Sequence, residues 1–166
     1  MTTYSYTYEQ ARDHLYATFW QHFIGPNGAV TVDPDYDHTD GDDATIEVLW
    51  EEQEPDDETN VERPTIYNYV RHYSAPRSHI GGDSRQVFDR KGFFLSLVLI
   101  PKDTELKTAD RLAYVVKSAF EGKRGFGDGR GIVFRSVRVT ETGRQKGRVQ
   151  FTVTADFEYS EAVSGG

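Results

Sequence analysis

Three stretches of this chain hold residue types that do chemistry elsewhere, and each lacks part of what that chemistry requires. Asp33, Asp35 and Asp37 alternate, with Asp40, Asp42 and Asp43 close behind, an oxygen-rich spacing of the kind that wraps calcium. A calcium loop between two helices needs glycine at its sixth position for the turn and a bidentate glutamate at its twelfth. His38 and Ala44 occupy those positions, so the stretch reads as a solvated acidic loop. Gly82-Asp83-Ser84 has the look of the nucleophile block of one serine-hydrolase family, whose base follows in a downstream Asp-x-x-His. The last histidine is His79, upstream of the serine, which leaves no group to take the hydroxyl proton.

The third stretch, Gly122-Lys123-Arg124-Gly125-Phe126-Gly127-Asp128-Gly129-Arg130-Gly131, is rich enough in glycine to suggest a phosphate cradle. Such a cradle sits between a strand and the N-terminus of the next helix, where free amides face the anion. Here the glycines follow a helical pattern and precede a strand pattern, and Lys123 is followed by Arg124 where a nucleotide loop has Ser or Thr. The stretch is read as a connector.

The five histidines, His14, His22, His38, His72 and His79, show no His-Glu-x-x-His or other metal spacing. There is no cysteine, which removes disulfides, thiolate metal sites and thiolate nucleophiles together. Paired carboxylates abound, but in polar segments, and raising a carboxylate's pKa for acid–base work takes burial. The sequence therefore leads us to expect no catalytic, cofactor-binding or metal-binding residue, no cofactor and no enzymatic activity.

Positioning elements come next. A chain of 166 residues with 37% hydrophobic and 13% aromatic residues is long enough for one core and is expected to form one domain over residues 1–166. The start, Met1-Thr2-Thr3-Tyr4-Ser5, has no basic or apolar leader pattern. The longest apolar run, near Phe93 to Ile100, is far too short to span a bilayer. A soluble protein made in a cytoplasm is expected, with no membrane partner.

The net charge of −8 is unevenly spread. Residues 33 to 62 hold fourteen of the 27 acids and no Lys or Arg, leaving the rest of the chain at a net +6. The acidic segment is unfit to bind DNA phosphates, because that adhesion comes from cations displacing counterions.

Thr7 and Gln10 form a capping box opening a helix over residues 8–23, with Ala11, Leu15, Phe19 and Phe23 on one stripe and Gly25-Pro26 ending it. Residues 26–44 and 51–63 read as acidic loops on either side of a short strand, Thr45 to Trp50. Thr65 to Tyr73 is a strand with Ile66, Tyr67, Tyr69 and Tyr73 half-buried, and residues 74–86 read as a mobile excursion. Phe93 to Ile100 is apolar at nearly every position, as in a central strand covered on both faces, and Pro101 ends it. Two helices would cover one face; the other needs a long loop or a neighbouring subunit.

Thr108 is placed to cap a second helix whose Leu112, Val115, Val116, Ala119 and Phe120 share a face, with Gly122 stopping it. Ile132 and Phe134 then open a strand whose apolar face Val137 and Val139 continue, while Arg135 and Arg138 straddle the two faces at a wet edge. Thr142 to Gly147 is read as the hairpin turn. The last strand alternates, with Val149, Phe151, Val153, Ala155, Phe157 and Tyr159 facing one way. Residues 160–166 read as a flexible tail. The expected fold class is α+β: an antiparallel or mixed sheet of four to five strands with two α-helices on one face and long acidic loops.

With the elements in this order, residues 62 to 159 resemble the tail terminator, or tail-completion, proteins of long-tailed bacteriophages. The resemblance is carried by Arg90-Lys91-Gly92-Phe93-Phe94-Leu95 through Ile100-Pro101, by Thr108-Ala109-Asp110-Arg111-Leu112-Ala113 through Ala119-Phe120-Glu121-Gly122, and by Val149-Gln150-Phe151-Thr152-Val153 through Phe157-Glu158-Tyr159. The first helix, and Leu49-Trp50 before a proline-containing acidic loop, also sit where that family has them. The resemblance implies a structural virion protein that forms a ring, expected to be hexameric, on the end of the tail tube. Such a ring stops tube polymerisation and offers a surface to the head or neck. Its partners would be further copies of itself, the tail tube protein and the head-tail connector or neck protein, with DNA passing through the lumen without specific binding. Its place would be the virion tail or neck, after assembly in the host bacterial cytoplasm. A head-completion or neck connector protein is the alternative of the same class, and a small metal-dependent enzyme using the acidic loop is the alternative of another.

Overall fold

The computed structural model of the chain describes residues 7–24, 46–51, 64–73, 77–80, 85–101, 106–123, 131–145 and 148–164. The first helix, α1 (Tyr8–Phe19), starts from the expected capping box. The Gln10 amide donates to Thr7 Oγ1 at 3.3 Å, and the Thr7 amide donates to Gln10 Oε1 at 3.1 Å, so two of the amides that a helix start leaves unpaired are satisfied reciprocally. Residues four apart on an α-helix drift around its axis by about 40° per step, which would carry Phe23 off the stripe begun by Ala11. The helix instead widens into a π turn, Trp20–Ile24, whose slower rotation brings Phe23 back. Ala11, Leu15, Phe19 and Phe23 are all buried.

The strands are β1 (Glu47–Trp50), β2 (Thr65–Tyr73), β3 (Arg77–Ile80), β4 (Arg85–Pro101), β5 (Val133–Gln145) and β6 (Arg148–Ser164). They join in the order β1-β2-β4-β6-β5, with β3 paired to β4 off that path. Only β1 and β2 run parallel, so the sheet is mixed. The fold is α+β, as expected, with five strands on the path and β3 as a sixth.

β4 is the centre. Its even-numbered residues Phe94, Ser96, Val98 and Ile100 are buried, and the odd-numbered Phe93, Leu95, Leu97 and Leu99 between them are half-buried. Phe94 meets Phe19 of α1 at 5.8 Å between ring centroids and Phe120, just past the second helix α2 (Leu106–Ser118), at 4.6 Å. Phe19 and Phe120 also meet at 5.8 Å. Both helices therefore pack on one face, the inner face, where Leu112, Val116 and Phe120 join Val153, Ala155 and Phe157 of β6 in one core.

Several boundaries differ from the sequence reading. α2 begins at Leu106, so Thr108 lies inside it and does not cap it; Leu106 and Lys107 are good helix formers and extend the first turn backwards. Gly122, at φ 71°, turns the chain out of the helix as expected. Residues 74–86 are not simply an excursion, because Arg77–Ile80 pairs with Gln86–Phe88 as β3. An extended β4 starting at Arg85 offers backbone groups that require partners, and β3 supplies them. For the same reason residues 160–164 are no loose tail: β6 runs to Ser164, its last residues paired back to Arg85. The hairpin between β5 and β6 is also tighter than Thr142 to Gly147, since β5 continues to Gln145 and Gly143 (φ 101°) sits in a bulge within it.

Two inner-face positions are set by close approach and by polarity. Gly92 pairs with His72 on one side and Phe157 on the other. A Cβ there would lie 2.2 Å from the Arg71 carbonyl oxygen and 2.7 Å from Phe157 Cζ. Four residues further along β4, in the same layer, Ser96 donates to Asn68 Oδ1 at 2.6 Å, both residues being fully buried and directly opposite in register. We expect Gly92→Ala to destabilise the fold by about 3 kcal/mol, at the upper end of the cost of overpacking, because the main obstacle is backbone that cannot rotate away. Chemical denaturation of the variant measures it; a loss of less than about 0.5 kcal/mol would show that β2 and β4 can separate freely here.

Candidate interaction surface

The outer face of the sheet, opposite the helices, is built from the residues that alternate with the core. On β4 these are Phe93, Leu95, Leu97 and Leu99, all apolar and all half-buried. On the β2 side they stand beside Arg71, Tyr69, Tyr67 and Thr65, and on the β6 side beside Asp156, Thr154, Thr152 and Gln150. An apolar stripe thus runs down the middle of the face, with tyrosines on one flank and threonines on the other. All the described helices lie on the opposite side. The sequence reading that β4 is apolar on both faces holds, and among the described residues only the inner face receives a second layer.

Ion pairs mark both flanks. On the β5 flank, Arg135 pairs with Glu158 and Arg138 with Asp156, the latter at 2.6 Å. These arginines do not straddle two faces. A bulge between Phe134 and Ser136 adds one residue to β5, which shifts the parity so that Phe134, Val137 and Val139 oppose the inner-face residues Phe157, Ala155 and Val153. The same shift places both arginines over outer-face carboxylates. The edge-strand position expected for them stands, with β5 last in the sheet order.

On the β1 flank the organising group is Glu51, which the sequence reading assigned to an acidic loop. Its carboxylate pairs with Arg71, accepts from the Val70 amide at 3.5 Å and accepts from Tyr16 of α1 at 3.4 Å, while its carbonyl takes the Tyr67 hydroxyl at 3.3 Å. β1 ends opposite Asn68, so this carboxylate takes over from the strand just where the ladder stops. Burial pushes the Glu51 pKa up, but the Arg71 hydrogen bond, the Val70 amide and the charges of Arg71 and Arg12 outweigh it and hold the group below its ordinary value. The Arg71 guanidinium in turn lies over the Tyr69 ring, 4.8 Å from its centroid.

Among the described residues, those singled out for chemistry are not brought together. Asp33 to Asp43, Gly82-Asp83-Ser84 and Arg124 to Arg130 lie outside the described residues. His14 and His22 sit on α1 and its π turn, and His22 is held below its ordinary pKa by burial and by the Lys123 charge. His72 is at the far end of β2, its Nε2 2.9 Å from the Tyr159 hydroxyl and its ring edge-on to Tyr8 at 4.4 Å. Among the described residues no three His, Asp or Glu side chains are grouped to hold a metal. A shallow cavity of about 140 Å³ lies between Asp89, Gly131, Val133, Glu158, Tyr159 and Ser160; it is small beside pockets that enclose organic ligands.

No family model and no curated protein matches the chain. A solved structure does. It is 14% identical, aligns over 89% of this chain and 94% of its own with a TM-score of 0.58, and carries a name that states no function. At that identity the likeness is one of fold, and it extends over nearly the whole of both chains.

The position of Glu51 makes a pH-dependent contribution whose sign is set. A carboxylate with a lowered folded-state pKa stabilises the fold above its unfolded value of about 4.5, and that stability is lost as pH falls through the folded-state pKa. Glu51→Gln should therefore cost stability at pH 7 and flatten the acid side of the stability profile. Denaturation midpoints of both proteins between about pH 3 and 7 test this; parallel curves would show that Glu51 titrates alike in both states.

Proposed function

We propose that this protein is a structural component of a bacteriophage virion, a tail terminator whose copies form a ring, expected to be hexameric, on the end of the tail tube. The observation that carries the reading is the outer face of the sheet: an apolar stripe edged by tyrosines and arginines, on which no described helix or strand packs. Such a face suits a partner macromolecule, since tyrosine and arginine around an apolar centre are what protein interfaces enrich. The strand, helix, strand, strand order and the residues that resemble that family add the identity of the assembly. In this reading the ring ends tube polymerisation and presents a surface to the head-tail connector or neck, and no enzymatic step is assigned to the chain. The acidic segments suit a lumen, where like charge keeps DNA from adhering in transit.

Two outcomes are expected. Electron microscopy of the purified chain mixed with tail tubes should show rings capping tube ends, and binding to portal-connector complexes with no binding to tube ends would favour the neck protein instead. Lys substitutions at acids within residues 33 to 62 should produce salt-sensitive DNA binding by the isolated protein in a mobility-shift measurement. Absence of any such binding would remove the lumen role of this segment.

A further inference from the structure

The three ion pairs that the described residues form on the outer face share an asymmetry. In each, the guanidinium is the exposed partner and the carboxylate the covered one: 51% against 27% for Arg71 and Glu51, 65% against 28% for Arg135 and Glu158, and 54% against 28% for Arg138 and Asp156. Although the pairs are neutral in sum, the groups that meet an incoming molecule are cations. Lys91, also exposed and in the same outward set of β4 as Phe93, adds a fourth. The face therefore offers an apolar stripe between two cationic flanks, and its complement is an anionic chain.

The same polypeptide contains one. Residues 33 to 43 carry six aspartates and no Lys or Arg, with Tyr36 among them. They belong to the twenty-one residues between Ile24 and Ile46, the longest interval between described elements. Fully extended, such a length spans about 70 Å, ample to cross onto a neighbour. Resting on the ring reading above, we propose that the outer sheet face of one copy receives the Asp33–Asp43 segment of the next. The contact is heterologous, because a sheet face meets a different part of the partner, and repeated heterologous contacts generate closed rings when the rotation permits. It follows also that assembly is salt-dependent, since exposed charges on both sides are screened beyond about 10 Å at 0.1 M salt.

Sedimentation equilibrium of the full chain tests this through a double-mutant cycle. One variant neutralises the face, Arg135→Gln with Arg138→Gln. A second neutralises the segment, Asp37→Asn with Asp40→Asn and Asp42→Asn. A third combines them, and unfolding midpoints verify that all are folded. The wild type should self-associate at roughly 50 mM salt and dissociate towards 1 M. Each variant should associate about tenfold more weakly, and the combined variant no more weakly than either, because both remove halves of one contact. Multiplied losses in the combined variant would overturn the pairing, as would tighter association of the segment variant, which would mean the segment shields its own copy's face. A wild type that is monomeric at low salt, or variants that associate unchanged, overturns the inference, while capping of tube ends decides the ring reading separately.

Discussion

Phe94 is where the two layers of this protein are joined. Its ring is in contact range of aromatics from both helical segments, Phe19 and Tyr16 from the first and Phe120 from the second, and Phe19 and Phe120 also touch each other. Three aromatic rings closing on one another bury large apolar areas and fix mutual orientation. Through them the position of α1 relative to α2 is set by the central strand. The π turn that keeps Phe23 stacked on Phe19 at 4.9 Å follows from the same requirement, as does the glycine at position 92, which lets β2 and Phe157 close on β4 two residues from that centre.

Much of this was legible in the sequence because it depends on local rules. The capping box at Thr7 and Gln10, the bounds of β2, the buried set Leu112, Val115, Val116, Ala119 and Phe120, and the alternation from Val149 to Tyr159 each follow from periodicity or from one hydrogen-bonding rule. What escaped depends on partners far along the chain. β3 and the end of β6 are strands because β4 extends to meet them, and their own residues carry only a weak strand signal. The parity change at Arg135 takes an extra residue opposite β6, which is invisible until the register is known. Glu51 looked like the first residue of an acidic loop, and only the end of β1 opposite Asn68 reveals why a carboxylate is needed there.

The candidate surface was half legible. A run of apolar residues at both parities announces that β4 needs cover on two sides, and the sequence supplies two helices for one of them. Which side has no described element packed on it, and that its flanks carry arginines held outward by carboxylates beneath, needed the sheet order and the three ion pairs. Function that depends on assembly leaves little trace in single residues, because an interface is made of ordinary side chains in a particular arrangement.

β4 and β6 each continue well past the part of the sheet that the helices cover. Residues Arg85 to Asp89 pair with Ser160 to Ser164 and with β3, beyond the last residue of β2. One ladder of hydrogen bonds thus passes through two environments, a stretch backed by the aromatic core and a stretch with no described helix behind it. Amide protons along β4 should then exchange with solvent at graded rates, slow from Gly92 to Ile100 and fast towards Arg85, as a strand frays from its unbacked end. The chain would carry a rigid body and a loosely held extension on the same two strands, with the boundary between them near Gly92.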